Sequence, residues 1–386
     1  MSAGRVTVVL SSLGAGGAER AAVEVAAGLV SRGWQVDLLT VRCDVSDFHA
    51  TPAGVCRSRA DAAAARDTPW WNVFAQAHRS RALRRSILNL RPDVVLSFTD
   101  LTNVAVLQAL LGSDLPVVVS EQIDPRMMPL GRRWESLRRA LYPRARTVLV
   151  QSTDVQAWAG RARRRWRVRV AANPVAALPE LAAAAPAWFG PRNLVAMGRL
   201  APQKGFDLLL PVFAALSREF PHWHLTILGE GPERGALTAQ AEALGVADRV
   251  HLPGLVNPPW GVLAAGDLFV FPSRFEGFPN ALMEAMACGL PAVSFDCPTG
   301  PRDIVRPDVD GVLVPALDVA GLQRALSELM RDERRRKGLA DRAADVRERF
   351  GRDRVVQVWH QVLRDALAGT AGSDRLQLAE REQHHP

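Results

Sequence analysis

The sequence predicts an α/β chain made of two doubly wound parallel sheets in tandem, one per domain. Three observations carry that expectation. The chain has 386 residues, more than one hydrophobic core usually organises. Short β-branched runs alternate with longer amphipathic stretches from the start. The alternation stops at residues 174–192, where alanines and prolines take over without a clear period, and then begins again.

In chain order, RVTVVLSS is a first strand, followed by an amphipathic stretch at 19–31 and a second strand at WQVDLLTV. Residues 42–68 are irregular and rich in Ala, Arg and Asp, so loops are expected there. The strands DVVLSF, LPVVVS, RTVLVQS and WRVRVAANP complete an N-terminal domain at 1–173. Residues 174–192 (PVAALPELAAAAPAWFGPR) are the expected linker. A second domain at 193–350 opens with NLVAMGRL, a helix at 206–219, HLTILGEG, a helix near 233–244 and RVHLPG. It continues with DLFVFPS, a helix near 280–288, LPAVSFD and GVLVP. Three helical stretches follow residue 315. The last, at 351–368, is expected to cross back to the N-terminal domain, and the polar tail at 369–386 to be disordered.

Bulk composition, 48% hydrophobic and 23% charged, supports a large buried core and excludes a disordered polymer. Cys43, Cys56, Cys288 and Cys297 lack CxxC or Cys/His ligand spacing, which argues against a disulfide scaffold and a structural zinc site and for a reducing, cytosolic location. The first apolar run is bounded by glycines and reads as a strand, not a signal peptide. No window holds the ~18–20 apolar residues that span a bilayer, so any membrane contact is expected to be peripheral.

The net charge of +8 is unevenly spread, with 25 Lys and Arg against 14 Asp and Glu in residues 1–175. Arginines cluster at 79–91, 132–146 and 161–169 with apolar residues between them, a pattern that suits anionic lipid headgroups or diphosphates. A solvated arginine face is the plain alternative. No RNP motif, recognition-helix signature or zinc finger supports nucleic-acid binding, and Tyr142 is the single tyrosine. Lysine occurs only as Lys204 and Lys337, so Lys204 in a loop hints that a compact ammonium is wanted there.

Four motifs follow strands. GAGGAER at 14–20 lets backbone approach a ligand at a helix start, but Glu19 stands where a dinucleotide fingerprint needs glycine. GRLAPQKG at 198–205 places Arg199 and Lys204 in one loop before a helix, as a diphosphate clamp would, and GEGP at 229–232 is another accessible turn. EGFPNALME at 276–284 sets Glu276 in a loop, backbone N–H groups at a helix start and Glu284 one turn further on. Two carboxylates beside an anion-binding turn match a nucleotide sugar, which offers phosphates and hydroxyls together. Asp308 and Asp310 form a DxD string, read as a turn rather than a metal site.

Taken in order, GGAER, GRLAPQKG, GEGP and EGFPNALMEAMACGLPAVSFDCPTGPRDI resemble the retaining GT-B glycosyltransferases of family four, over about residues 5–367. The CPTGPRD variant most resembles bacterial enzymes that extend lipid-linked oligosaccharides or exopolysaccharide repeat units. The resemblance implies a GT-B fold of two Rossmann-like domains facing across a cleft, closing on a nucleotide-sugar donor, commonly a UDP-sugar. It assigns Arg199 and Lys204 to the donor diphosphate, Glu276 to the donor sugar and Glu284 to the ribose. Arg199, Lys204 and Glu276 become the expected catalytic set. The backbone of Gly277, Phe278, Asn280 and Ala281 would border phosphate and sugar, and Gly16 and Gly17 would line the phosphate from the N-terminal domain. No metal and no further cofactor is required.

One departure stands out. Many relatives carry a histidine after the strand equivalent to LPVVVS, where this chain reads SEQIDP, so a His-dependent step is excluded. Glu121 and Asp124 are candidates to position the acceptor, or else a cap or turn, and Arg132 and Arg133 are candidates for its diphosphate. The expected partners are a nucleotide sugar, a lipid-linked glycan and an anionic membrane at its cytoplasmic face, with no nucleic acid. The alternatives are a soluble transferase or nucleotide-sugar isomerase acting on a small molecule, and a catalytically silent nucleotide-sugar-binding subunit.

Overall fold

The computed structural model describes residues 3–42, 46–61, 73–176, 178, 186 and 188–369. Cys43, much of the expected linker, residues 62–72 and the tail from 370 lie outside the described residues. The chain divides into two compact units, one of Met1–Pro174 with Arg352–Pro386 and the other of Val175–Gly351.

The first unit runs β1 (Gly4–Leu10), α1 (Gly17–Val30), β2 (Trp34–Thr40), β3 (Val55–Arg59), α2 (Val73–Asn89), β4 (Val94–Phe98), α3 (Asp100–Ala109), β5 (Val117–Ser120), α4 (Arg132–Leu141), β6 (Thr147–Val150), α5 (Thr153–Ala162) and β7 (Val168–Val170). Its sheet is parallel throughout, in the order β3-β2-β1-β4-β5-β6-β7. Every residue of β4 is buried, so VVLSF carries no alternation, as a strand covered on both faces should not. β3 corrects the loop expectation for 42–68. VCRSR is an edge strand with no fully buried residue, and Arg57 spends its charge on Asp47 at 3.1 Å, a pattern that reads as loop from sequence.

The second unit runs β8 (Arg192–Met197), α6 (Phe206–Glu219), β9 (Trp223–Leu228), α7 (Arg234–Ala243), β10 (Val250–Gly254), α8 (Trp260–Ala264), β11 (Leu268–Phe271), α9 (Asn280–Ala287), β12 (Ala292–Asp296), α10 (Pro301–Ile304), β13 (Gly311–Pro315), α11 (Val319–Arg331), α12 (Glu333–Ala343) and α13 (Val346–Arg349). Its parallel sheet has the order β10-β9-β8-β11-β12-β13, around a core that includes Leu194, Phe213, Ile227, Val270, Phe295 and Leu326. Strand order reverses between β8 and β11. The carboxyl ends of strands at such a reversal are where open α/β sheets bind ligands.

The last helix, α14 (Arg352–Ala368), belongs to the first unit. It buries Val355, Val356, Trp359, Val362, Leu363 and Ala366. Trp359 stacks on Phe98 with ring centroids 5.4 Å apart and donates its indole N–H to the Ala172 carbonyl at 3.0 Å. α14 approaches α1 so closely that a Cβ on Gly28 would lie 2.7 Å from Val356.

Candidate functional site

The loops leaving β8, β9 and β11 are stitched together by backbone. Gly198 N–H donates to the Leu228 carbonyl (2.9 Å), and Leu200 N–H to the Glu230 carbonyl (3.0 Å). Glycine is required where the GEGP turn crosses, because a Cβ on Gly229 would sit 2.0 Å from the Gly198 carbonyl oxygen. Gly205 plays the same part toward β11. Its φ is +69° and a Cβ would lie 2.0 Å from the Pro272 carbonyl oxygen. The Gln203 side chain donates to the Phe275 carbonyl at 2.9 Å, and Arg274 grips Asp207 with two bonds of 2.7 Å.

This lashing brings together two of the residues expected to bind the donor. Lys204 Nζ stands 2.6 Å from Glu276 Oε1, although 72 residues separate them in sequence. The side chains are 17% and 7% exposed, so the pair keeps an open side while its charges are shielded from bulk water. Phe271 lies under the ammonium, 5.5 Å from ring centroid to Nζ. Burial first, and then the Glu276 charge, push the Cys297 thiol well above its usual range, which keeps it an inert neighbour.

Gly277 and Phe278 are buried beside Glu276, and Phe278 meets Phe350 edge-on at 5.6 Å. Asn280 and Ala281 open α9, and Asn280 N–H donates to the Phe278 carbonyl at 2.9 Å. Glu284 follows on α9 and is 4% exposed. Arg199 is exposed, and among the described residues no hydrogen bond or ion pair holds its side chain. The second unit therefore gathers Lys204 with Glu276, carries Glu284 one turn into α9 and leaves Arg199 on the loop after β8.

Sequence reasoning gave Thr299 no role. Its hydroxyl donates to the Glu276 carbonyl from the loop after β12, and only the strand order reveals that contact. His49 was likewise missed. In the first unit Gly16 precedes α1 with extended backbone, and a Cβ there would meet Glu19 Oε2 at 2.1 Å. The Gly16 carbonyl accepts the Arg20 N–H (3.1 Å) and lies 3.3 Å from His49 Nε2. Burial, with the Arg20 charge adding to it, lowers the His49 pKa to about 4, so the ring is neutral at pH 7 and can donate to that carbonyl. Gly17 is the first residue of α1.

The four acceptor candidates have different surroundings. Glu121 is 3% exposed, accepts a hydrogen bond from the Tyr142 hydroxyl and lies 3.6 Å from Arg138. Tyr142 in turn accepts from Asn103 Nδ2 at 3.2 Å. Burial raises the Glu121 pKa to about 7 against the opposing pull of Arg138 and Tyr142. Its carboxyl is thus engaged by Tyr142 and Arg138 inside the first unit. Asp124 is also buried and is bound by Arg126 at 2.6 Å, which bridges to Asp154. Arg132 and Arg133 are exposed on α4, and Arg133 donates to Gln76 Oε1 (2.8 Å) in a groove shared with Gln108 and Ser136.

The DxD string is tied up by arginines. Asp310 is fully buried between Arg306 (2.6 Å) and Arg349 (3.3 Å), and Asp308 pairs with Arg335 at 2.9 Å. Among the described residues no group of three His, Cys, Asp or Glu is placed to hold a metal ion. No helix among them is long and apolar enough to cross a membrane.

Comparison with known proteins matches residues 15–177 to the family described as Glycosyltransferase Family 4, and residues 191–332 to Glycosyl transferases group 1. The chain is 30% identical over 323 residues to an exopolysaccharide phosphotransferase of Streptomyces coelicolor, across 81% of this chain and 33% of that protein. It is 25% identical over 361 residues to the GalNAc-alpha-(1->4)-GalNAc-alpha-(1->3)-diNAcBac-PP-undecaprenol alpha-1,4-N-acetyl-D-galactosaminyltransferase of Campylobacter jejuni, across 93% and 98% of the two chains. This chain thus spans a third of the length of the first relative and nearly all of the second. The GT-B fold is shared with solved structures such as HepE of Anabaena in complex with UDP and glucose, at a TM-score of 0.72 and 19% identity over 93% and 99% of the two chains.

Proposed function

The chain belongs to the glycosyltransferases of family 4 and group 1, and from that premise we propose that it moves a sugar from a UDP-sugar to a lipid-linked glycan, with retention, at the cytoplasmic face of a membrane. The observation that carries the reading is the Lys204–Glu276 contact with Glu284 beyond it, at the strand-order reversal of the second unit. A cation for a diphosphate and a carboxylate for sugar hydroxyls stand side by side. The undecaprenol-linked acceptor named for the Campylobacter relative, and the UDP and glucose bound by the Anabaena protein, support the choice of substrates.

In this reading Lys204 and Arg199 face the donor diphosphate, Glu276 accepts hydrogen bonds from the sugar hydroxyls and Glu284 from the ribose. The backbone of Gly277, Phe278, Asn280 and Ala281 borders them, and Gly16 and Gly17 keep a donor-phosphate role on the resemblance alone. The bond from the anomeric carbon to the diphosphate oxygen breaks as the bond to the acceptor oxygen forms on the same face. The acceptor proton passes to the leaving diphosphate oxygen. Arg199 and Lys204 stabilise the charge that develops there, a term of roughly 3 kcal/mol for one well-placed oxyanion donor. This route asks for no metal. Exposed Arg132, Arg133 and Arg139 on α4, with Arg81 and Arg85 on α2, supply the basic face for the acceptor's diphosphate and for anionic lipid.

The test is UDP release and product mass with UDP-sugars and a polyprenyl-diphosphate-linked glycan, with and without a chelator, followed by the anomeric configuration of the product. The reading expects turnover that survives the chelator and keeps the donor's anomeric configuration. Absence of UDP release from every donor would leave the fold standing and sink the enzymatic reading.

A further inference from the structure

The donor site proposed above depends on where one carboxylate reaches, and the backbone that carries it is held from outside its own loop. Glu276 N–H points to the Pro298 carbonyl oxygen at 3.4 Å, and the Thr299 hydroxyl donates to the Glu276 carbonyl. Both main-chain polar groups of Glu276 are therefore met by consecutive residues of the loop leaving β12. Thr299 is 7% exposed, and its hydroxyl also lies 2.8 Å from the Pro298 carbonyl oxygen.

The backbone at this point is unusual. Thr299 has φ +63°, a region where a β-branched residue is a clear outlier. Such conformations persist only where the surroundings over-determine them. Gly300 follows at φ +102°, and a Cβ on it would fall 2.3 Å from Pro279 Cδ. The loop after β12 is thus pressed directly against residues 277–279, and the threonine hydroxyl is the side-chain polar contact it makes with Glu276, beside the Pro298 carbonyl.

We infer that Thr299 is a positioning residue for the transfer reaction: its hydroxyl fixes the main chain of Glu276, and through it the reach of the Glu276 carboxylate to Lys204 Nζ and to the donor's sugar. The inference rests on the donor reading of this site. Thr299 acts through Glu276, so its loss should fall on handling of the sugar and spare the nucleotide. Valine has nearly the shape of threonine and the same branching, but no hydroxyl. Serine keeps the hydroxyl and drops the branch.

The experiment compares full-length wild type, Thr299→Val, Thr299→Ser and Glu276→Gln. It measures UDP binding by calorimetry, UDP release from UDP-glucose and UDP-N-acetylgalactosamine with a polyprenyl-diphosphate-linked glycan, and amide hydrogen exchange over residues 275–278. Thr299→Val should lower donor kcat/KM about tenfold and speed exchange in that segment, with the UDP Kd within about twofold of wild type. Thr299→Ser should stay within about threefold of wild type in all three measurements. The inference is overturned if Thr299→Val matches wild type in exchange and turnover, if valine and serine variants fall together, or if UDP binding weakens as much as turnover. Loss of turnover in Glu276→Gln with full activity in Thr299→Val would remove this inference and keep the donor reading. A wild type that neither binds UDP nor releases it would remove both.

Discussion

Lys204 is the residue on which charge and geometry converge, because its ammonium already rests on Glu276 at 2.6 Å. A donor diphosphate offers that ammonium a second anion. Removing a charged hydrogen-bond donor from a partly buried site costs about 1.5–3 kcal/mol, so Lys204→Ala should weaken UDP binding by roughly ten- to a hundredfold in calorimetry. An unchanged Kd would mean the diphosphate is held elsewhere. Glu121 gives a different kind of test. Burial raises its folded pKa from 4.5 to about 7, so the folded state holds a proton that the unfolded chain releases. The stabilisation this brings is complete below about pH 4.5 and is lost as pH rises through 7. Glu121→Gln still accepts from Tyr142 and never ionises. Its melting temperature relative to wild type should therefore climb between pH 5 and pH 8, and a relative decline over that range would show that Arg138 outweighs burial.

At the scale of elements, the stitch between the loops after β8 and β11 decides whether the site forms. Gly205→Ala forces a left-handed backbone on a residue with a Cβ and drives that Cβ toward the Pro272 carbonyl, 2.0 Å away. We expect a melting point lowered by several degrees and a weakened response to UDP, read by thermal unfolding with and without ligand. A variant that keeps both would show that the two loops need not touch. These two loops were legible from sequence because the apolar runs LVAM and LFVF are followed at once by glycine and proline. Lys204 and Glu276 stood out for a related reason, since each is a charged residue in a loop leaving such a run, and Glu284 lies one turn into the helix that follows. β3 did not stand out, since VCRSR mixes charge into an edge strand. Thr299 and His49 escaped notice because their contacts depend on which strands are neighbours, and no local pattern encodes that. Glu121 comes directly after β5, nearer to its strand than Glu276 is to β11. Only the packing of Tyr142 and Arg138 around it turns one inward while the other keeps a partly open side.

For the whole molecule, the decisive fact is that one unit is continuous in sequence and the other is not. Residues Val175–Gly351 form the second unit, and its two ends are joined by the Val175 N–H on the Phe350 carbonyl at 2.8 Å. The first unit needs α14 from the far end of the chain, which buries Trp359 completely against Phe98 and seats Val356 on α1. Each large apolar side chain that α14 buries contributes about 1.5–3 kcal/mol, so losing the helix removes a large share of a typical domain's 5–15 kcal/mol. Residues 175–351 made alone should then unfold cooperatively and be stabilised by UDP, by about 2.7 kcal/mol at a hundred times Kd. Residues 1–174 made alone should expose the Phe98 face and aggregate, and joining 352–369 to them through a flexible linker should restore a cooperative transition. If the short fragment folds as well without the helix, α14 is an ornament on the first unit. If the 175–351 fragment folds and ignores UDP, GDP and ADP alike while the full chain responds, the nucleotide site is not contained in the second unit, and the roles given to Lys204, Glu276 and Glu284 would have to be shared with the first.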